Sequence, residues 1–109
     1  MTTHWAELCR LNDLVPNSGV CALFDEQQVA LFYIPAASKV FAVSQYDPIG
    51  KANVISRGLV GSIGEKLFVA SPLYKQHFLL EDGTCVEDES VSLKVWATKV
   101  EGNRVYIQA

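Results

Sequence analysis

Short apolar runs, broken by turn residues at intervals of roughly ten, cover most of the chain, and that spacing predicts an all-β fold. Val20–Asp25 reads as one strand and Gln28–Ile34 as its partner, joined at Asp25-Glu26-Gln27. Lys39–Ser44 follows the Pro35-Ala36-Ala37 turn and completes a meander. Lys66–Ala70 is a further short strand, preceded by Gly58, Gly61 and Gly64, glycines expected to serve tight turns at positive φ. His77–Leu80 and Thr84–Glu87 flank Asp82-Gly83, a strong hairpin signal because this pair tolerates positive φ. Near the end, Val91, Leu93, Val95 and Ala97 alternate with Ser92, Lys94, Trp96 and Thr98, the period-two pattern of a half-buried strand. Glu101-Gly102-Asn103 then turns the chain into Arg104–Gln108, where Val105 and Ile107 share a face.

Helical signal is weak. Only Ala6–Leu14 allows it, through Trp5, Leu8 and Cys9 at spacings of three and four. Two segments resist a strand reading. Ser44–Arg57 is polar and interrupted by Asp47-Pro48, and Ser71–Gln76 opens on Ser71-Pro72, where proline removes a ladder donor. Loops of this kind on a β scaffold present function or merely connect strands. The sequence shows no internal repeat and no interdomain linker, so residues 1–109 are expected to form one domain.

Composition narrows the class. Half of the 109 residues are apolar and 19% are charged, which excludes an intrinsically disordered chain. A net charge of -3 disfavours a nucleic-acid partner, because phosphate binding needs clustered Lys and Arg. No apolar run approaches the ~20 residues that span a bilayer, and the start at Met1-Thr2-Thr3-His4-Trp5 lacks a signal-peptide pattern. The three cysteines, Cys9, Cys21 and Cys85, are odd in number and widely spaced, unlike a disulfide framework. They are expected to be buried single thiols in a reduced, cytoplasmic protein with no membrane association.

The residues assemble no recognisable catalytic motif. Structural zinc needs about four ligands in closely spaced pairs, whereas the cysteines and the two histidines, His4 and His77, are far apart. Cys85 with His77 is the nearest nucleophile–base pair, without an elbow, oxyanion hole or acidic orienter; His77 reads more simply as a rim histidine. Gly58-Leu59-Val60-Gly61-Ser62-Ile63-Gly64 has neither phosphate-binding glycine spacing. Glu81-Asp82 and Glu87-Asp88-Glu89 read as solvated surface.

The segment Ser71-Pro72-Leu73-Tyr74-Lys75-Gln76-His77-Phe78 continues through an apolar strand to Gly83, and Asp47-Pro48-Ile49-Gly50 leads to Gly58. Together they resemble the two cluster-binding loops of Rieske ferredoxins. The resemblance spans essentially the whole chain and implies a Rieske-type fold of antiparallel sheets forming a partial barrel. It also implies an edge strand, rather than a helix, over Ala6–Leu14. A Rieske cluster has two Cys on one iron and two His on the other. Aligned on those loops, the ligand positions fall at Pro48, Gly50, Ser71 and Tyr74, and Ser and Tyr are poor substitutes for thiolate and imidazole. The expectation is a Rieske-like domain without the [2Fe-2S] cluster, with no metal and no cofactor of its own.

Trp5, Val29-Ala30-Leu31-Phe32, Ser56-Arg57-Gly58-Leu59-Val60-Gly61 and above all Ser71–Phe78 resemble the small-subunit family of assimilatory NAD(P)H-dependent nitrite reductases. That resemblance implies a non-catalytic subunit of an enzyme reducing nitrite to ammonium. Its partner would be the large subunit, carrying FAD, an iron-sulfur centre and siroheme. Tyr46, Arg57, Tyr74, Lys75 and His77 are the candidate partner-binding residues, with the aromatic and amphipathic character favoured at interface centres. Phe78 belongs in the core, and Arg57 is equally suited to an internal hydrogen bond. The alternatives are a stand-alone Rieske-type electron carrier and a generic β interaction module for another oxidoreductase.

Overall fold

The computed structural model describes residues 4–108. Their elements are strands β1 (Trp5–Arg10), β2 (Gly19–Phe24), β3 (Gln27–Ile34), β4 (Lys39–Ser44), β5 (Tyr46–Asp47), β6 (Ala52–Asn53), β7 (Leu59–Ile63), β8 (Lys66–Ala70), β9 (His77–Leu79), β10 (Val95–Trp96), β11 (Thr98–Glu101) and β12 (Arg104–Gln108). Short 3-10 turns at Leu11–Asp13, Pro35–Ala37 and Ile55–Arg57 complete them. The strands form antiparallel sheets ordered β10-β4-β3-β2, β1-β12-β11 and β7-β8-β9, with β5 and β6 as a separate hairpin. The all-β expectation and the meander over β2–β4 hold.

The central sheet is apolar on both faces because successive side chains alternate. Ala30, Phe32 and Ile34 of β3 enter one core with Ile55, Val69 and Phe78. Val29 and Leu31 enter a second core with Leu14, Val40, Val105 and Ile107. Each large side chain so buried contributes about 1.5–3 kcal/mol. Phe78 is fully buried, as its position in the sequence suggested.

Four expectations are corrected. The alternating stretch from Val91 to Thr98 is not one strand: Ser92 bridges Thr84, Val95 and Trp96 pair with Val43 and Ala42, and Thr98 joins β12. Its apolar alternation spans a crossing between sheets, fastened where the Thr98 hydroxyl donates to the Val40 carbonyl. Thr84–Glu87 likewise makes isolated bridges, Phe78 to Cys85 and Thr84 to Ser92, rather than a continuous strand. Of the three glycines before β8, Gly64 alone takes positive φ (61°). Gly58 and Gly61 instead permit close approach: a Cβ on Gly61 would lie 2.6 Å from the Phe68 ring. Finally, Cys85 is buried and Cys9 half-buried, but Cys21 is exposed, because its position on edge strand β2 faces outward.

The β2–β3 turn is tighter than Asp25-Glu26-Gln27 suggested. Phe24 pairs directly with Gln27, leaving Asp25 and Glu26 with φ of 51° and 64°. Two successive left-handed residues match the sense of strand twist, as in a type I′ hairpin.

Candidate functional site

The two segments that resisted a strand reading meet at one end of the β7-β8-β9 sheet, and they have the same construction. In the first, Asp47 pairs with Ala52 and the Asp47 carbonyl accepts the Lys51 N–H at 2.7 Å. In the second, the Ser71 N–H donates to the Gln76 carbonyl at 2.9 Å, and the Ser71 carbonyl accepts the Lys75 N–H at 3.0 Å. Each is a four-residue loop of the form Pro-x-x-Lys, Pro48–Lys51 and Pro72–Lys75. Each ends on a left-handed lysine, with φ of 57° at Lys51 and 61° at Lys75. The recurrence of Asp-Pro-Ile-Gly-Lys as Ser-Pro-Leu-Tyr-Lys is a local repeat that strand periodicity did not register.

The residue before each proline organises its loop through its side chain. Asp47 Oδ1 accepts the N–H groups of Ile49 (2.8 Å) and Gly50 (3.0 Å), the local Asx pattern that favours Asp before a turn. Ser71 Oγ accepts the Leu73 N–H at 3.3 Å. Both residues are buried, at 0% and 1% exposure, and the Ser71 hydroxyl donates to Asp47 Oδ2 across the loops. Gly50 lies so close to Leu73 that a Cβ there would collide with its side chain. Behind the first loop, buried Gln45 donates from Nε2 to Ser56 Oγ (2.8 Å) and accepts the Ser56 N–H (2.7 Å) on Oε1. Val54 and Ile55 donate to the Gln45 carbonyl.

The candidate residues therefore divide. Tyr74 is 66% exposed and projects with Leu73 and Lys75 from the second loop. Tyr46 is exposed on the first hairpin, beside a cleft shared with Glu26 and Asn53. Arg57 is exposed on the neighbouring 3-10 turn, and its side chain makes no internal hydrogen bond among the described residues. Pro48 and Gly50 are half-buried and Ser71 is buried, so they shape the tip rather than face outward. Asp47 and Gln45 were not singled out by sequence reasoning. The Asp-Pro step was the available signal for Asp47; nothing local marks Gln45.

His77 sits at the rim. Its N–H donates to Glu87 Oε1 at 2.8 Å and its Nδ1 lies 2.5 Å from Glu87 Oε2, while its ring meets Phe68 edge-on. Burial pushes the Glu87 carboxyl up, yet the hydrogen bonds from the His77 backbone and ring, with the charge of His77, hold it below its usual value of 4.5. This lowered carboxyl adds stability that is complete above about pH 4.5 and is lost as pH falls through the folded value. Glu87→Gln should therefore flatten the acid limb of a stability–pH curve below about pH 4.5. A limb identical to wild type would refute that assignment.

Cys85 Sγ reaches Glu87 Oε1 at 3.8 Å, but it is wholly buried. The Cys9 thiol is pushed up by burial, then by Asp13 and Glu7, away from the reactive thiolate.

Comparison with known proteins places this geometry. Residues 4–108 match the Rieske-like [2Fe-2S] domain family. The chain is 42% identical over 106 residues to the nitrite reductase (NADH) small subunit of Escherichia coli K12, covering 97% of this chain and 98% of that one. The chain belongs to the nitrite reductase small-subunit family. A crystal structure assigned as a nitrite reductase NADPH small subunit shares 52% identity and a TM-score of 0.94, over 97% of this chain and 99% of that one. The ferredoxin of carbazole 1,9a-dioxygenase from Nocardioides aromaticivorans, at 15% identity and a TM-score of 0.78, shares the fold, with 94% of this chain and 95% of that one aligned. A Klebsiella oxytoca protein named nitrite reductase [NAD(P)H] large subunit contains a segment 36% identical to 94% of this chain, spanning 11% of its own length.

The residues at the two loop tips do not fit a [2Fe-2S] cluster. At the tip, Asp47 and Ser71 are bonded to each other and to their own loops. The cysteines lie elsewhere, on β1, on β2 and in the core beside β9. Among the described residues no three His, Cys, Asp or Glu side chains are grouped to hold a metal ion, and no helix is long and apolar enough to cross a membrane.

Proposed function

We propose that this chain is the cofactor-free small subunit of a cytoplasmic NAD(P)H-dependent nitrite reductase, and that it supports reduction of nitrite to ammonium by docking its paired loops on the large subunit. FAD, the iron-sulfur centre and siroheme then reside on that larger chain. The observation that carries the reading is the bond from Ser71 to Asp47. The two loops that grip a cluster in the Rieske fold here grip each other and present Leu73, Tyr74 and Lys75 outward. Asp47, one residue before Pro48, stands opposite Ser71; we therefore assign Asp47 rather than Pro48 to the first cysteine position, and Ile49 rather than Gly50 to the first histidine position. The Klebsiella relative supports the partnership, because a similar segment there is part of a chain named as the large subunit.

Tyr74→Ala combined with Lys75→Ala should weaken binding to the large subunit about tenfold or more in calorimetric titration, as for a central aromatic anchor, while the melting temperature stays near wild type because both side chains are exposed. Unchanged affinity would remove the loop tip as the docking site. The electron-carrier alternative demands stoichiometric iron, acid-labile sulfide and visible absorbance in purified protein. Finding them would overturn the cofactor-free reading.

A further inference from the structure

The chain carries nine Lys and Arg residues, and most of those away from the tip are engaged. Lys39 lies over Phe41, Lys94 over Trp96, and Lys99 over Trp5 while pairing with Glu101. Arg104 pairs with Glu7. Lys51, Arg57 and Lys75 are all exposed, and among the described residues they, like the more distant Arg10 and Lys66, neither form an ion pair nor lie over an aromatic ring. They come from residues 45–62 and 71–76, where the one acidic residue is Asp47, fully buried and committed to Ser71, Ile49 and Gly50. The carboxylates bordering this region lie at its margins. Glu26 faces it across the cleft by Tyr46, and Glu87 is held by His77.

The matching lysines are placed by the loop repeat itself. The turns from Asp47 to Lys51 and from Ser71 to Lys75 are joined through the Ser71–Asp47 bond, and Gly50 abuts Leu73. Arg57 adjoins the same end, because Gly58 packs against the Ala70 carbonyl immediately before Ser71. Between these cations stand exposed Leu73 and Tyr74, and Leu59 at 78% exposure opens β7 beside Ala70. An apolar centre rimmed by unpaired positive charge occurs here on a chain whose net charge is -3.

We infer that the loop tip is a cationic docking face whose occupant is an acidic surface of the partner subunit, with Lys51, Lys75 and Arg57 meeting carboxylates and Leu73 and Tyr74 filling the apolar centre. The inference rests on the docking role proposed above and adds the sign of the partner's charge. Opposite charge at an interface rim acts mainly by steering encounter and selecting partners, and salt screens it.

The test is titration of the full chain against the large subunit at low and high ionic strength. Affinity should fall about tenfold between roughly 50 and 500 mM salt. Lys51→Glu with Lys75→Glu should weaken binding at least tenfold at low salt and by less than about threefold at high salt, with the Lys→Gln pair intermediate. Lys66→Glu, in the turn-proximal end of β8, should bind as wild type. Melting curves for each variant verify folding. Salt-independent binding with an unaffected double variant would overturn the acidic-partner inference while leaving docking intact. Tighter binding after charge reversal would also overturn it, as would self-association of the wild-type chain abolished by the same pair. Failure of wild type to bind the large subunit at any salt would instead overturn the docking role.

Discussion

Replacing Asp47 with alanine is expected to destabilise the fold by about 3–4 kcal/mol. The carboxylate serves three donors at once, the N–H groups of Ile49 and Gly50 and the hydroxyl of Ser71. A buried donor stripped of its acceptor costs about 1–3 kcal/mol, and the smaller alanine leaves no polar atom to replace it. Ser71→Ala removes the one cross-loop donor and the long, 3.3 Å acceptor contact to the Leu73 N–H, and should cost about 1–2 kcal/mol. Asp47→Asn retains an acceptor for the loop N–H groups and should fall between. Chemical denaturation orders the three. Amide exchange at Ile49 and Gly50 should accelerate most in Asp47→Ala, since those N–H groups lose their side-chain acceptor. A loss below about 1 kcal/mol for Asp47→Ala would show that the loops hold together without their central carboxylate.

The second large effect lies away from the tip. Gly83→Ala should cost about 3 kcal/mol, against about 1 kcal/mol for Gly102→Ala. Both glycines are left-handed, with φ of 81° and 62°, and an L-residue there costs about 1–2 kcal/mol. Around Gly102 a methyl would meet nothing within 4 Å, whereas at Gly83 it would collide with the Leu93 carbonyl oxygen. That contact cannot open cheaply, because the Leu93 N–H donates to the Gly83 carbonyl at 2.8 Å and Leu93 is a core residue. Overpacking of this kind adds about 1–3 kcal/mol. Equal losses at the two positions would mean that backbone conformation alone explains the requirement at Gly83.

These two sites mark how far the sequence could be read. Asp82-Gly83 announces a turn through its tolerance of positive φ, but the approach of Leu93 depends on a stretch ten residues later whose alternation suggested a plain strand. Val91–Thr98 deceives because a segment crossing between two buried sheets meets apolar surroundings on alternate sides, as a strand does. β2, β3, β4, β8 and β12 are legible because their alternation coincides with actual pairing. At the tip, Ser71–Phe78 carries the family likeness and Tyr74 and Lys75 are recognisably surface residues. Asp47 is harder to identify, since an Asp-Pro step signals only a local turn. Its second oxygen acts on a residue 24 positions away, beyond any short-range pattern. Gln45 and Glu87 share that difficulty, as their partners Ser56 and His77 are set by tertiary contact.

The closed loops also bear on the kinetics of assembly. A segment that orders only on meeting its partner lowers the association rate or the net affinity by the ordering it must undergo. Here Lys51 and Lys75 already sit at the ends of hydrogen-bonded turns, with Asp47 and Ser71 locking one turn to the other. In the docking proposed above the tip meets the large subunit as a rigid body, so encounter should proceed in the ordinary range of about 10⁵–10⁷ M⁻¹s⁻¹ or faster with charge steering. Variants that loosen the Asp47–Ser71 bond would then show their defect first in a slower on-rate, whereas trimming Tyr74 would appear chiefly as faster dissociation.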